Sequence, residues 1–166
     1  MREIHGKRDC PYAWRVRIAA REKDLPFQWV VSNDRHEKSP TLLEDGFKLT
    51  DSLVIMAYLD EAHPGNDLQA LGARERASMR VRSCDLVAAL EDDIRVQTGY
   101  QLLDRLLDDG RIWLGGSRPD LSDIAVWPFL WKLQEAGQRI PATLKHLVSY
   151  WGRAIERESL VSTRPR

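Results

Sequence analysis

Cysteine is scarce in this chain: Cys10 and Cys84 are the only two, and they stand far apart. So spaced, they offer neither a disulfide framework nor the paired thiolates of a zinc site, and in a reducing compartment Cys10 stays a thiol. The four histidines, His5, His36, His63 and His146, lack metal-ligand spacing, so no metal is expected. An excess of charge is missing too. Lys plus Arg and Asp plus Glu both number 25, and a net charge of zero carries no electrostatic footprint for nucleic acid or an anionic membrane. Apolar runs such as IAVWPFLW are far too short to span a bilayer, and the charged start MREIHGKRDC lacks the core of a signal peptide. A cytoplasmic protein with a small-molecule or protein partner is the expectation. Internal repeats and low-complexity tracts are absent as well.

What is present is an ordinary globular composition, 43% hydrophobic and 30% charged over 166 residues, enough to bury roughly two-thirds of the unfolded chain's surface. The first part alternates strand-like and helix-like pieces. A short strand is expected near Arg2 to His5. YAWRVRIAAREK has helical periodicity, with Arg15, Arg17 and Arg21 between apolar flanks, and Pro11 suits a first helical position because its missing N–H costs nothing there. FQWVVS alternates as a strand, and TLLEDGFKL folds into a hairpin about Asp45-Gly46. Thr50 or Asp51 caps the helix of TDSLVIMAYLDEA. Beyond the Pro- and Gly-rich stretch 63–72 strand signals vanish. Helices are expected over ARERASMRVRSCDLVAALEDDIRVQ, YQLLDRLLDD, DLSDIAVWPFLWKLQEAG, capped by Asp120, and PATLKHLVSYWGRAIERE. The division is residues 1–62 mixed α/β, 63–72 linker and 73–166 all helical.

Cys10 opens the first helix in RDCPYAWRVR. A thiol at a helix N-terminus faces unpaired N–H groups and the positive end of the dipole, which favour thiolate. The alternative is a cysteine that caps or packs and does no chemistry. Asp51 and Ser52 are common helix-start residues in any protein. Trp113, Trp127, Trp131 and Trp151 read mainly as core, and Cys84 as a small buried packing residue.

CPYA at the first helix, SP before the hairpin, LTDSLVIMAYLDEAHPG and GGSRPDLSDIAVWPFL occur in an order that resembles the glutathione S-transferase superfamily over nearly the whole chain. The resemblance implies an N-terminal thioredoxin-like domain, β-α-β-β-β-α, joined to a C-terminal all-α bundle, with glutathione as cosubstrate. It implies a cis-proline at Pro40, with the preceding Ser39 pairing its backbone with glutathione, and Asp51 and Ser52 holding the γ-glutamyl end. Lys38 is placed to reach a glutathione carboxylate, although a loop lysine is ordinarily solvated. Two segments depart from the family. Residues 33–39, spanning about 23 Å when extended, leave no room for the family's second helix. The helical part is short around DDIRVQTGYQLL.

Cys10-Pro11-Tyr12-Ala13 lacks the second cysteine of a dithiol oxidoreductase, so a mixed disulfide on Cys10 needs an outside thiol to resolve it. This resembles the cysteine-type transferases, the omega class especially, and implies thiol transfer or reduction on a small electrophilic or glutathionylated substrate. Tyr12 is the alternative hydroxyl donor to a glutathione thiolate. A homodimer is expected from the family. Two other readings stay open: a non-catalytic transferase-like interaction module, and an enzyme of glutathione conjugation or isomerisation.

Overall fold

The computed structural model describes residues 1–32, 39–70 and 72–165. Strands β1 (Arg2–Gly6), β2 (Gln28–Val31), β3 (Thr41–Glu44) and β4 (Phe47–Thr50) form one mixed sheet in the order β2-β1-β3-β4. β1 runs parallel to β2, with Ile4 opposite Trp29, and antiparallel to β3, where Ile4 faces Leu42. The β3–β4 hairpin turns at Asp45-Gly46, whose positive φ values of 48° and 85° are those the Asp-Gly dipeptide was expected to supply. Helices α1 (Pro11–Glu22) and α2 (Ser52–Ala62) complete the thioredoxin-like unit.

The rest is helical: α3 (Ala73–Glu91), α4 (Val96–Leu106), α5 (Leu121–Glu135), α6 (Lys145–Ala154) and α7 (Glu158–Ser162). Two expected helices end early. The segment expected to continue to Gln97 breaks after Glu91, because the Asp92 carboxylate accepts the Ile94 N–H at 2.9 Å and its carbonyl takes the Arg95 N–H in a tight turn. The last expected helix likewise stops at Ala154, and α7, which was not expected, begins at Glu158. The 63–72 stretch is not a loose tether: Leu68 is buried, its N–H donating to Asp60 and its carbonyl accepting from Leu121.

Helix α5 is the axis of the structure, buried from Leu121 through Leu130 and again at Leu133. Its start is a reciprocal cap. Asp120 accepts from Ser122 and Asp123, while the fully buried Asp123 carboxylate accepts from the N–H groups of Leu114, Gly115 and Asp120 at 2.8 to 3.0 Å and from the Tyr150 hydroxyl at 2.9 Å. Burial and the neighbouring Asp120 push the Asp123 carboxyl up to about 7, against the backbone donors that favour its charge. Tyr150 in turn accepts the Trp127 indole N–H at 2.9 Å, and Trp113 packs edge-on against both rings.

Helix α1 lies between the sheet and the bundle, which explains one departure from its sequence pattern. Ala13 through Ala20 are all buried, and the arginines set between the apolar flanks, Arg15 and Arg17, are 4% and 5% exposed. A helix packed on two sides has no face left for solvent, so each guanidinium lies over an aromatic ring, Arg15 on Tyr12 and Arg17 on Trp29, with ring-centroid distances of 4.8 and 4.2 Å.

Candidate active site

Cys10 is the N-cap of α1, with extended backbone (φ −75°, ψ 116°), and its carbonyl accepts the Trp14 N–H at 3.0 Å. Its side chain makes no capping hydrogen bond and is half-buried. Pro11 brings no N–H, so the first-turn donors beside the sulfur are those of Tyr12 and Ala13. The Cys10 N–H donates to the Lys7 carbonyl at 3.2 Å, and Lys7 N–H donates to Ser39 Oγ at 3.1 Å. That loop joins the thiol's turn to the start of β3. The Ser39–Pro40 peptide is cis. The approach depends on a glycine: a Cβ built on Gly6 would lie 2.7 Å from Ala13 Cβ and 2.8 Å from Ser39 Oγ.

Around this turn three further elements converge. Lys132 of α5 donates to the Asp9 carbonyl at 3.1 Å. Tyr12 packs edge-on against Phe129 of α5 at 5.3 Å, and its hydroxyl donates to Glu91 of α3 at 2.5 Å. Burial, helped by the Glu91 hydrogen bond, pushes the Tyr12 phenol up to about 12, so it is protonated at neutral pH and its proton is already directed at a carboxylate. Arg15 reaches from α1 to the start of α2, donating from Nε and Nη2 to the buried Ser52 hydroxyl at 2.9 and 2.5 Å. Asp51 caps α2 at φ +75°, accepting the N–H groups of Leu53 and Val54 at 3.0 and 3.2 Å, and stays exposed.

The structure therefore ties the Cys10 turn to Ser39-Pro40 through the Lys7 loop, and α1 to Asp51-Ser52 through Arg15. Lys38 lies outside the described residues. Cys84, expected to be a packing residue, is exposed on α3. Sequence reasoning missed Glu91 and Lys132 as supports of the site, and missed that Arg15 binds Ser52; for that contact the available signal was the place of Arg15 in WRVRIAA, where a helix between two layers buries its charges. Among the described residues no group of three or more His, Cys, Asp or Glu is arranged to hold a metal, and no helix is long and apolar enough to cross a membrane.

Residues 4–67 match the family described as Glutathione S-transferase, N-terminal domain, and residues 87–154 match Glutathione S-transferase, C-terminal domain. The probable glutathione S-transferase GSTU1 of Oryza sativa is 40% identical over 33% of this chain and 29% of its own length. The matches to that rice protein and to the other leading curated relatives span only about three-tenths to two-fifths of those proteins. Glutathione S-transferase omega-1 of Mus musculus is 22% identical over 96% of this chain and 78% of its own. In overall shape the chain is similar to the glutathione-bound glutathione S-transferase of Methylobacillus flagellatus, with a TM-score of 0.83, 24% identity and both chains covered in full.

Proposed function

The chain belongs to the glutathione S-transferase superfamily, and from that premise we propose that it is a glutathione-dependent thiol transferase in which Cys10 is the nucleophile. The observation that carries this reading is the state of two side chains at the start of α1. The Cys10 thiol is half-buried and uncommitted to capping, while the Tyr12 hydroxyl is held by Glu91. Of the two groups considered as activators, cysteine is the one whose chemistry is left available.

The glutathione groove runs from Cys10 past Ser39-Pro40 to Asp51-Ser52. The Ser39 backbone pairs with the cysteinyl part of the tripeptide. Asp51, exposed and negative, faces the γ-glutamyl ammonium, and the first-turn N–H groups of α2 suit its carboxylate. Ser52 contributes through its own hydroxyl proton, since the oxygen already accepts from Arg15. Lys38 is retained as a contact to a glutathione carboxylate, and Tyr12 as a wall of the groove.

In the reaction the Cys10 thiolate attacks the glutathione sulfur of a mixed disulfide. The old S–S bond breaks, a Cys10–glutathione disulfide forms, and the substrate leaves as a thiolate that takes a proton from water. A second glutathione thiolate then attacks the bound glutathione sulfur, which releases Cys10 thiolate and glutathione disulfide. The substrate is a small disulfide or electrophile. The expected setting is the cytoplasm, and the expected assembly is a homodimer in which β4 and α2 of one copy meet α3 of the other across the apolar surface of Phe47, Leu53, Val54 and Met79, a cleft of about 570 Å³ in the single chain.

The test is reduction of a small glutathionylated disulfide by glutathione, with turnover followed for the wild type, Cys10→Ser and Tyr12→Phe. The proposal expects turnover that falls to background in Cys10→Ser and survives in Tyr12→Phe. Turnover retained in Cys10→Ser, or glutathione binding with no disulfide reduction, would move the reading to conjugation or to an interaction module.

A further inference from the structure

Arg15 is a buried charge that rests on a neutral partner. Only 4% of its surface is exposed, and both of its hydrogen bonds, from Nε at 2.9 Å and Nη2 at 2.5 Å, go to one atom, the Ser52 hydroxyl oxygen. Its Nη1 has no partner, and among the described residues no carboxylate touches the guanidinium. Rings hold it in place, the Tyr12 centroid at 4.8 Å and the Phe129 centroid at 6.0 Å. A buried charge without an opposite charge in contact is costly, and burial accordingly pulls the Arg15 guanidinium down, with Tyr12, Asp51 and Glu91 opposing the shift. A neutral serine does not offset that cost. An anion on the far side of the serine would.

The start of α2 has the chemistry to seat one. With two N–H groups directed at its oxygen, the Ser52 hydroxyl has both lone pairs engaged, so its proton can only be donated away from Arg15. Ser52 is also the first residue of α2, at the positive end of the helix dipole. That helix end is partly spent, because Asp51 already accepts the N–H groups of Leu53 and Val54. The positive charge behind Ser52 therefore has to come from Arg15. Asp51, exposed beside Ser52, would repel a lone anion but complements a ligand that carries an ammonium next to its carboxylate.

We propose that Arg15 is the positioning residue for the α-carboxylate at the γ-glutamyl end of glutathione, acting through the Ser52 hydroxyl that touches that carboxylate. The assignment rests on the glutathione reading above and deepens it. Arg15 is closed off from solvent and meets no part of the tripeptide; it fixes the direction of the Ser52 proton and supplies the opposing charge. Selectivity follows: the site requires the pair of ammonium and carboxylate on one carbon, and a ligand with the ammonium alone leaves Arg15 without its anion.

The test is calorimetric titration of the wild type with two ligands kept reduced, glutathione and 4-aminobutanoyl-cysteinylglycine, which is glutathione without that carboxylate. Glutathione should bind about thirtyfold more tightly, the discrimination that one charge-assisted hydrogen bond provides. In Arg15→Met, which removes the charge and keeps a long apolar stem, the ratio should shrink to about threefold, and Arg15→Lys, which keeps the charge and loses the fork, should restore it to about tenfold. A role confined to packing weakens both ligands alike and leaves the ratio unmoved. Circular dichroism checks the fold of each variant; should Arg15→Met not fold, Ser52→Ala, which removes the hydroxyl between charge and ligand, should narrow the ratio in the same way. Equal affinity for the two ligands in the wild type, or a ratio that stays near thirtyfold in a folded Arg15→Met or Ser52→Ala, would overturn the proposal and leave glutathione binding standing. A wild type that binds neither ligand would overturn the glutathione reading and this assignment with it.

Discussion

Replacing Asp123 by alanine should remove the tie that joins the start of α5 to the loop before it and to α6. The carboxylate is fully buried and accepts four hydrogen bonds, from Leu114, Gly115, Asp120 and Tyr150, all at 2.8 to 3.0 Å. Each donor left unsatisfied costs about 1 to 3 kcal/mol, and a water entering the vacated volume recovers part of the total. A net loss of about 4 kcal/mol follows, a large share of the roughly 5 to 15 kcal/mol that holds a domain folded. At about 3 °C per kcal/mol for a chain of this length, the melting temperature should fall by about 12 °C. Tyr150→Phe removes one donor to Asp123 and the acceptor of the Trp127 indole N–H, and should cost about 2 kcal/mol. Because both variants break one network, the double variant should lose less than the sum. Urea unfolding with calorimetry measures all three. A drop under about 3 °C in Asp123→Ala would refute the reasoning, since it would mean that the four donors have other partners.

Three more predictions concern the surroundings of the site. Tyr12, held at about 12, should ionise well above free tyrosine in a difference absorbance titration against Tyr12→Phe, and Glu91→Gln should bring it down toward 10. Because its folded value is raised, its contribution to stability is present below about pH 10 and lost as pH rises through 12; a titration near 10 in the wild type would contradict the Tyr12–Glu91 contact. Ser52→Ala leaves the Arg15 Nε and Nη2 without their acceptor in a buried setting where Nη1 is already unpartnered, and should cost about 3 kcal/mol in urea unfolding. Light scattering should find a dimer that Val54→Asp converts to monomer, since Val54 is exposed on the apolar surface of α2 and a charge there does not disturb the core; a monomeric wild type would overturn the assembly.

Much of this architecture was legible from local chemistry. The Asp-Gly turn, the Asp51 and Asp120 caps and the proline after Cys10 each state a backbone requirement within a few residues, and the sheet and most helices follow from them. Periodicity reports one buried face at a time, and on α1, packed on two sides, it gives no sign that Arg15 and Arg17 are interior. Breaks after Glu91 and Ala154 are set by turn hydrogen bonds that a continuous apolar pattern conceals. The candidate site was legible as isolated letters, Cys10, Ser39-Pro40 and Asp51-Ser52. The side chains that hold those letters together, Arg15, Glu91 and Lys132, act across long sequence separations and carry no local signature.

The measurement that tests the central claim most directly is the intact mass of the protein after incubation with glutathione disulfide at neutral pH. A single glutathione adduct is expected on the wild type, absent in Cys10→Ser, retained in Cys84→Ser, and discharged by free glutathione. An adduct that persists in Cys10→Ser, or a wild type that takes up none, would contradict the account.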